Sequence, residues 1–512
     1  MVRVNFWERT SINVITNSAR TAVMALIGVF LIPYYLDNLG ASVYAIIPLA
    51  TTISSYVLLV SDCLISACGR YVIIAIRKGD EEELSKLYNS GLFGMLRICL
   101  IILPIILLVS YYSTSIFAVP GDMSFQVRTM FLLVLISSLI VSLSSVFTNI
   151  FFAHNMMYKV HVSRLVYLLV QILLIVLLFN ITEPSLVDIG FAYLISAFVL
   201  IISLIVMSRH LPLCPKINLH HHDKESFRKM GALGAWMVVS KIGSLLYIQI
   251  SLILVNLYLG TEVQAGFAIL STIISMIGTA VNSISTSFDP ILYRLYAEKR
   301  ISDMIRVIHV GEEVLGYCLA MPIAFLLAFS DEIITVWVGD NFSYLSDYLL
   351  ICCITCLLSC CVKSMAPVPT IFLKNRWTTP IILVFGILNA ILSLLALHVF
   401  GYGIEGAIYV WAGCTFCEEL GYLIVCNKAL KSKLSILIIP LVQSYLIMLV
   451  CYSACWGLSR IVELNSWLSI MPVFLISVLI YYILVFRLLL PREDRELVSN
   501  MLPGPFKILI LR

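Results

Sequence analysis

The chain has 512 residues, of which 61% are hydrophobic and 12% charged; the formal net charge is +4 and the mean hydropathy +1.02. A water-soluble domain has no interior large enough to hide that much apolar surface, so the composition excludes a soluble enzyme or binding module and makes lipid the solvent.

Roughly 20 apolar residues carry a helix across the hydrocarbon core. In chain order, such segments are expected at 11–36, 43–68, 89–112, 125–151, 160–180, 185–208, 231–258, 264–288, 310–330, 343–369, 378–399, 404–426, 434–457 and 467–490. The runs are continuously apolar and lack the alternation of barrel strands, so the expected fold is all-α and polytopic with about fourteen transmembrane helices. The first segment shows no small-residue cleavage site and is expected to remain as the first helix.

Lys and Arg set the orientation. With both termini inside, the cytoplasmic segments hold Arg70, Arg77, Lys78, Lys159, Arg164, Lys224, Arg228, Lys229, Arg294, Arg300, Lys374, Arg376, Lys428, Lys431, Arg492 and others. The external side holds Arg460, with Arg128 near an outer helix end, and is otherwise acidic. The net positive charge therefore reports topology, and no nucleic-acid partner is expected. Cys353 and Cys356 form a CxxC within an apolar helix without a nearby His or carboxylate, which reads as packing by small side chains. His220, His221 and His222 with Cys214 read as a solvated loop. No cofactor or metal is expected.

The sequence repeats at an offset of about 220 residues. Leu39-Gly40-Ala41-Ser42-Val43 matches Leu259-Gly260-Thr261-Glu262-Val263, and Phe152-Ala153-His154-Asn155 lies opposite Phe372-Leu373-Lys374-Asn375. Six spans per copy give two parallel six-helix lobes, 1–215 and 216–430, followed by an extra helix pair at 431–490 and a cytoplasmic tail at 491–512. Parallel lobes of this kind are expected to enclose a cavity and to work by alternating access.

Charges inside the bilayer cost about 2.5–3.5 kcal/mol each on insertion scales and mark functional sites. Arg20, Arg97, Lys241 and Lys363 each lie roughly 12–15 Å along the helix from the cytoplasmic end of their spans. Arg20 and Lys241 are one residue from exact repeat equivalence, and two cations facing one cavity suit a polyanionic group such as pyrophosphate. Snorkelling or local ion pairing is the competing reading. Glu418 and Glu419 are adjacent intramembrane acids that suit either a coupling proton or sodium ion or a structural ion pair. Asp62 aligns with Asn282, and both suit a polar cavity wall or interhelical hydrogen bonding.

These features, with the turn Pro33-Tyr34-Tyr35-Leu36-Asp37-Asn38-Leu39-Gly40, Tyr44, and the segment Phe288-Asp289-Pro290-Ile291-Leu292-Tyr293, resemble the polysaccharide (O-antigen repeat-unit) flippase branch of the multidrug/oligosaccharidyl-lipid/polysaccharide (MOP) exporter superfamily. The resemblance implies a bacterial inner-membrane protein that moves undecaprenyl-pyrophosphate-linked oligosaccharide from the cytoplasmic to the periplasmic leaflet. It also implies contact with membrane lipid, coupling to H+ or Na+, and association with polysaccharide polymerase machinery. Lipid II flippases and cation-coupled multidrug exporters of the same superfamily are the alternatives. An enzyme acting on the same lipid-linked sugars is disfavoured, because every external loop is short and nearly free of Lys and Arg.

Overall fold

A computed structural model describes residues 6–59, 72, 75, 80–209, 211, 215, 218, 238–239, 241–286, 288–372 and 374–488. Asp62, Cys214 and His220 to His222 lie outside the described residues. Among those described, all regular structure is helical. Thirteen helices are long and apolar enough to cross a membrane, so the chain is a polytopic all-α membrane protein. About fourteen were expected; the thirteen count Ile248–Ser285 as one, although non-helical backbone at Gly260 divides it into two arms that match the expected spans 231–258 and 264–288.

The chain divides into two compact units, residues 1–268 with 397–404, and residues 269–396 with 405–512. The first contains α1 (Phe6–Leu39), α2 (Ala41–Leu59), α3 (Glu81–Ile116), α4 (Ser124–Ala153), α5 (Met157–Ile181) and α6 (Leu186–Ser208), and it takes the first arm of α7 (Ile248–Ser285). Helix α1 runs unbroken through Pro33. Helix α3 begins eight residues before its expected span, because Asp80 caps it by accepting from the Glu83 N–H at 2.8 Å and three glutamates fill its first turn. Ser185 and Asp188 close a capping box on α6.

Helix α4 buries Ser137, Ser138, Ser142, Ser144 and Ser145. The hydroxyls of Ser137, Ser138, Ser144 and Ser145 donate to carbonyls three residues back in the same helix. Small side chains satisfied this way let helices approach closely in lipid, where apolar burial supplies no drive. At the α4–α6 contact, a Cβ on Gly190 would meet Leu133 Cδ1 at 2.9 Å.

Gly40 and Gly260 carry the repeat into the backbone. Their angles are φ 77°, ψ 164° and φ 84°, ψ −177°, a region open to glycine almost alone. Each turns the chain between consecutive spans, and the two turns touch: Ser42 Oγ donates to Glu262 Oε1 at 3.3 Å across an offset of 220 residues. Beneath them, the amide of Asn256 donates to Gln264 Oε1 at 3.0 Å, and Gln264 donates to the Ala45 carbonyl at 2.8 Å.

The second unit holds the rest of α7, α8 (Asp289–Ala297), α9 (Ile301–Ala328), α10 (Ser330–Val338), α11 (Ser346–Val362), α12 (Asn375–Leu394), α13 (Ile404–Leu430), α14 (Leu434–Ser459) and α15 (Trp467–Leu488). Its core joins Phe288, Met304, Ile308, Leu358, Met365 and Leu437. Tyrosine hydroxyls tie α14 and α15 to this core: Tyr445 to the Ile354 carbonyl, Tyr481 to that of Tyr317 and Tyr482 to that of Cys318, each at 2.7 Å. Tyr317 in turn donates to Gln443 Oε1 at 2.9 Å. The arginines expected outside sit on aromatic rings, Arg128 4.8 Å from Tyr111 and Arg460 4.7 Å from Trp456.

Helices α9 and α14 meet at Gly316, where an added Cβ would fall 2.7 Å from Ser444 Cβ and closer still to its hydroxyl. Gly316→Ala is expected to destabilise the protein by about 1–3 kcal/mol through overpacking. Adding Ser444→Gly should return most of that loss, read as the thermal unfolding midpoint in detergent.

Candidate functional site

In the first unit, the start of α1 is clamped to the turn between α4 and α5. Asn13 Nδ2 donates to Asn155 Oδ1 at 2.9 Å, while Asn13 Oδ1 accepts the Tyr158 N–H at 2.7 Å. Asn155 makes this turn at φ 52°. The clamp sets α1 against α5 in a register that brings Arg20 of α1 within electrostatic range of His161 and Arg164 of α5.

Arg20 is half-buried. One terminal nitrogen donates to Asn17 Oδ1 and the other to Met24 Sδ, both at 3.3 Å, and both partners lie on its own helix. Its Nε is buried without a hydrogen-bond partner, as is Nδ1 of His161. The guanidinium charge of Arg164 acts on Arg20, and both arginines act on the His161 ring. Two guanidinium cations near an unused arginine N–H form a site for an anion with several oxygens, such as a phosphate. Sequence reasoning found Arg20 but counted Arg164 with the cytoplasmic charges and passed over His161. The signal was available, since His161 and Arg164 are three residues apart on one helix face.

Other expected site residues are placed as follows. Lys241 is exposed on a short helical stretch, 241–245. Arg97 is exposed on α3 and Asn282 on α7. Lys363 caps the C-terminus of α11 and is half-buried; its carbonyl accepts from Ser285 Oγ at 2.9 Å. Glu419 of α13 faces Ser359 and Lys363 of α11, so opposite charges oppose one another there. Glu418 is half-buried beside it.

The sequence reading missed two acids on α9. It began that span at 310, which put Glu312 and Glu313 at the membrane edge, whereas α9 starts at Ile301. Glu312 is therefore about 17 Å along the helix. It is 1% exposed, and its Oε2 has no hydrogen-bond partner. Glu313 Oε1 stands 3.5 Å from His309 Nε2, and His309 Nδ1 is 2.8 Å from the Ile436 carbonyl.

Helices α14 and α15, with Met321 of α9, also bound an apolar groove of about 570 Å³ lined by Leu446, Val450, Ala454, Ile480 and Leu484.

Residues 11–296 match the family described as "Polysaccharide biosynthesis protein". That is more than half of the chain, and the chain belongs to this family. Over 496 residues it is 23% identical to "Uncharacterized membrane protein EpsK" of Bacillus subtilis (strain 168), covering 95% of this chain and 97% of that protein. Its fold matches the structure described as "Lipid II flippase MurJ, inward closed conformation" with a TM-score of 0.68 at 15% identity, covering 92% of this chain and 99% of the other. It also matches the inward-facing structure of a multidrug resistance MATE family transporter of the MOP superfamily, with a TM-score of 0.62 at 12% identity, covering 86% and 99%. This is a multi-pass membrane protein of polysaccharide biosynthesis with the MOP-superfamily flippase and transporter fold.

Glu419 and Lys363 compensate one another across the α11–α13 contact. Lys363→Met is expected to lower the unfolding midpoint more than Glu419→Gln, because it leaves a carboxylate without its cation. The double variant should recover toward wild type in the same detergent assay.

Proposed function

We propose that this chain is a flippase for undecaprenyl-pyrophosphate-linked oligosaccharide repeat units, carrying them from the cytoplasmic to the outer leaflet of a bacterial plasma membrane for surface polysaccharide assembly. The observation that carries this reading is the buried, unused Nε–H of Arg20 close to Arg164 and His161, in a protein of polysaccharide biosynthesis. Pyrophosphate is the part common to all such substrates, and forked arginine donors match its oxygens. Lys241 joins this set by repeat equivalence with Arg20. The prenyl tail is assigned to the apolar groove between α14 and α15. Both termini are cytoplasmic, two six-helix lobes alternate access, and the chain has no catalytic chemistry of its own.

Lipid II transport is the second reading, favoured by the fold match to a lipid II flippase. It uses the same pyrophosphate and prenyl chemistry, so the two readings differ in the saccharide.

Complementation separates them. In a bacterium lacking its repeat-unit flippase, the chain should restore surface polysaccharide and clear accumulated lipid-linked repeat unit. Rescue of a strain lacking its lipid II flippase instead would favour the second reading. The Arg20→Ala, Lys241→Ala double variant, and separately His161→Ala with Arg164→Ala, should reduce export about 10- to 100-fold, the loss of one or two charge-assisted hydrogen bonds. Wild-type export by both would remove the cationic site.

Ala454→Trp, which fills the groove, should slow export while leaving the protein folded. Unchanged export would free the groove of a role in holding the tail.

A further inference from the structure

Glu312 stands apart from every other acid described. It is buried to 1% exposure within a transmembrane helix, and one of its carboxyl oxygens has no donor. The groups around it are known by element. On α9 itself, Glu313 and His309 lie within a turn, with Tyr317 beyond. Helix α11 presents the Cys361 thiol and α13 that of Cys426. Helix α14 contributes Gln443 and Ser444 around Tyr317 and Gly316. The nearby cation, Lys363, acts on Glu419. Among the described residues, Glu313 supplies the charge acting on Glu312, and it is of like sign.

A carboxylate anion cannot rest in such surroundings without a cation or donors, whereas a neutral acid can. The small cation that fits is therefore chosen by chemistry. Sodium and other hard ions require a shell of oxygens. Beside Glu312 stand the thiols of Cys361 and Cys426, the oxygens of Gln443 and Ser444 are engaged with Tyr317 and the Pro440 carbonyl, and no group of three or more His, Cys, Asp and Glu among the described residues is arranged to hold a metal ion. A proton needs only the carboxyl oxygen.

We infer that Glu312 is the proton-binding residue of this transporter, and that the Glu313–His309 pair is the relay through which its proton enters and leaves. The relay geometry is specific. His309 Nδ1 lies 2.8 Å from the Ile436 carbonyl, so that nitrogen carries the hydrogen and donates it. Nε2 is then the basic nitrogen, and it faces Glu313 Oε1 at 3.5 Å. When Glu312 gives up its proton, His309 Nε2 takes it: the O–H bond of Glu312 breaks, an N–H bond forms on the imidazole, and the imidazolium stands beside Glu313. The summed charge of the three groups is the same before and after, and the proton stays on the protein. This deepens the flippase reading by naming H+ as the driving ion, and in that respect it rests on that reading.

The experiment uses the full chain in liposomes and has two independent readouts. Infrared difference spectra between acid and neutral pH should show the C=O stretch of a buried protonated carboxyl, shifted in D2O. Glu312→Gln should remove that band and Glu313→Gln should retain it. In cells carrying the chain as their flippase, export should collapse with a protonophore and persist without sodium, and Glu312→Gln should export at a rate indifferent to the protonophore. A band unchanged in Glu312→Gln, or export sustained by a sodium gradient alone, would overturn the proposal. Loss of the band in a chain that restores no lipid-linked saccharide export would leave the proton site standing and remove the flippase reading.

Discussion

Lipid offers no hydrogen bonds, and everything in this structure follows from that. A polar group inside the bilayer has to find its partner within the protein, and a helix satisfies its own backbone. The side chains follow the same logic. Buried serines of α4 bond back to their own helix. The tyrosines of α14 and α15 reach carbonyls of α9 and α11, which fastens two helices to the second unit without an apolar driving force. Where helices need to come closer, glycines at 190 and 316 leave no room for a methyl group.

Against that rule, a few polar atoms stay unused, and two groups of them carry opposite charge. Arg20 Nε lies near Arg164 and the His161 ring in the first unit; Glu312 Oε2 lies next to Glu313 in the second. Each runs against a cost that packing alone would have removed by substituting an apolar residue. In the reading proposed above, the first suits a phosphate-bearing lipid and the second a proton.

The repeat is visible at a finer level than helix count. Gly40 and Gly260 share a backbone conformation that other residues avoid, and Ser42 bonds to Glu262 at the same 220-residue offset. The family match covers residues 11–296, and the fold match to MOP-superfamily proteins covers most of the chain.

The sequence by itself determined the membrane class, the positions of most spans, the matching turns at Gly40 and Gly260 and the charge of Arg20 within an apolar run, because each is a local property. It also placed Lys363 and Glu419 within spans, though not opposite one another. Only the tertiary structure decided that Arg164 and His161 join Arg20, since the Asn13–Asn155 clamp that sets α1 against α5 links residues 142 apart. Glu312 escaped for a related reason. Hydropathy sees where apolar runs begin, and α9 begins nine residues before the expected edge. Whether a carboxyl at that point meets water or thiols depends on helices α11 and α13, whose approach no local pattern encodes.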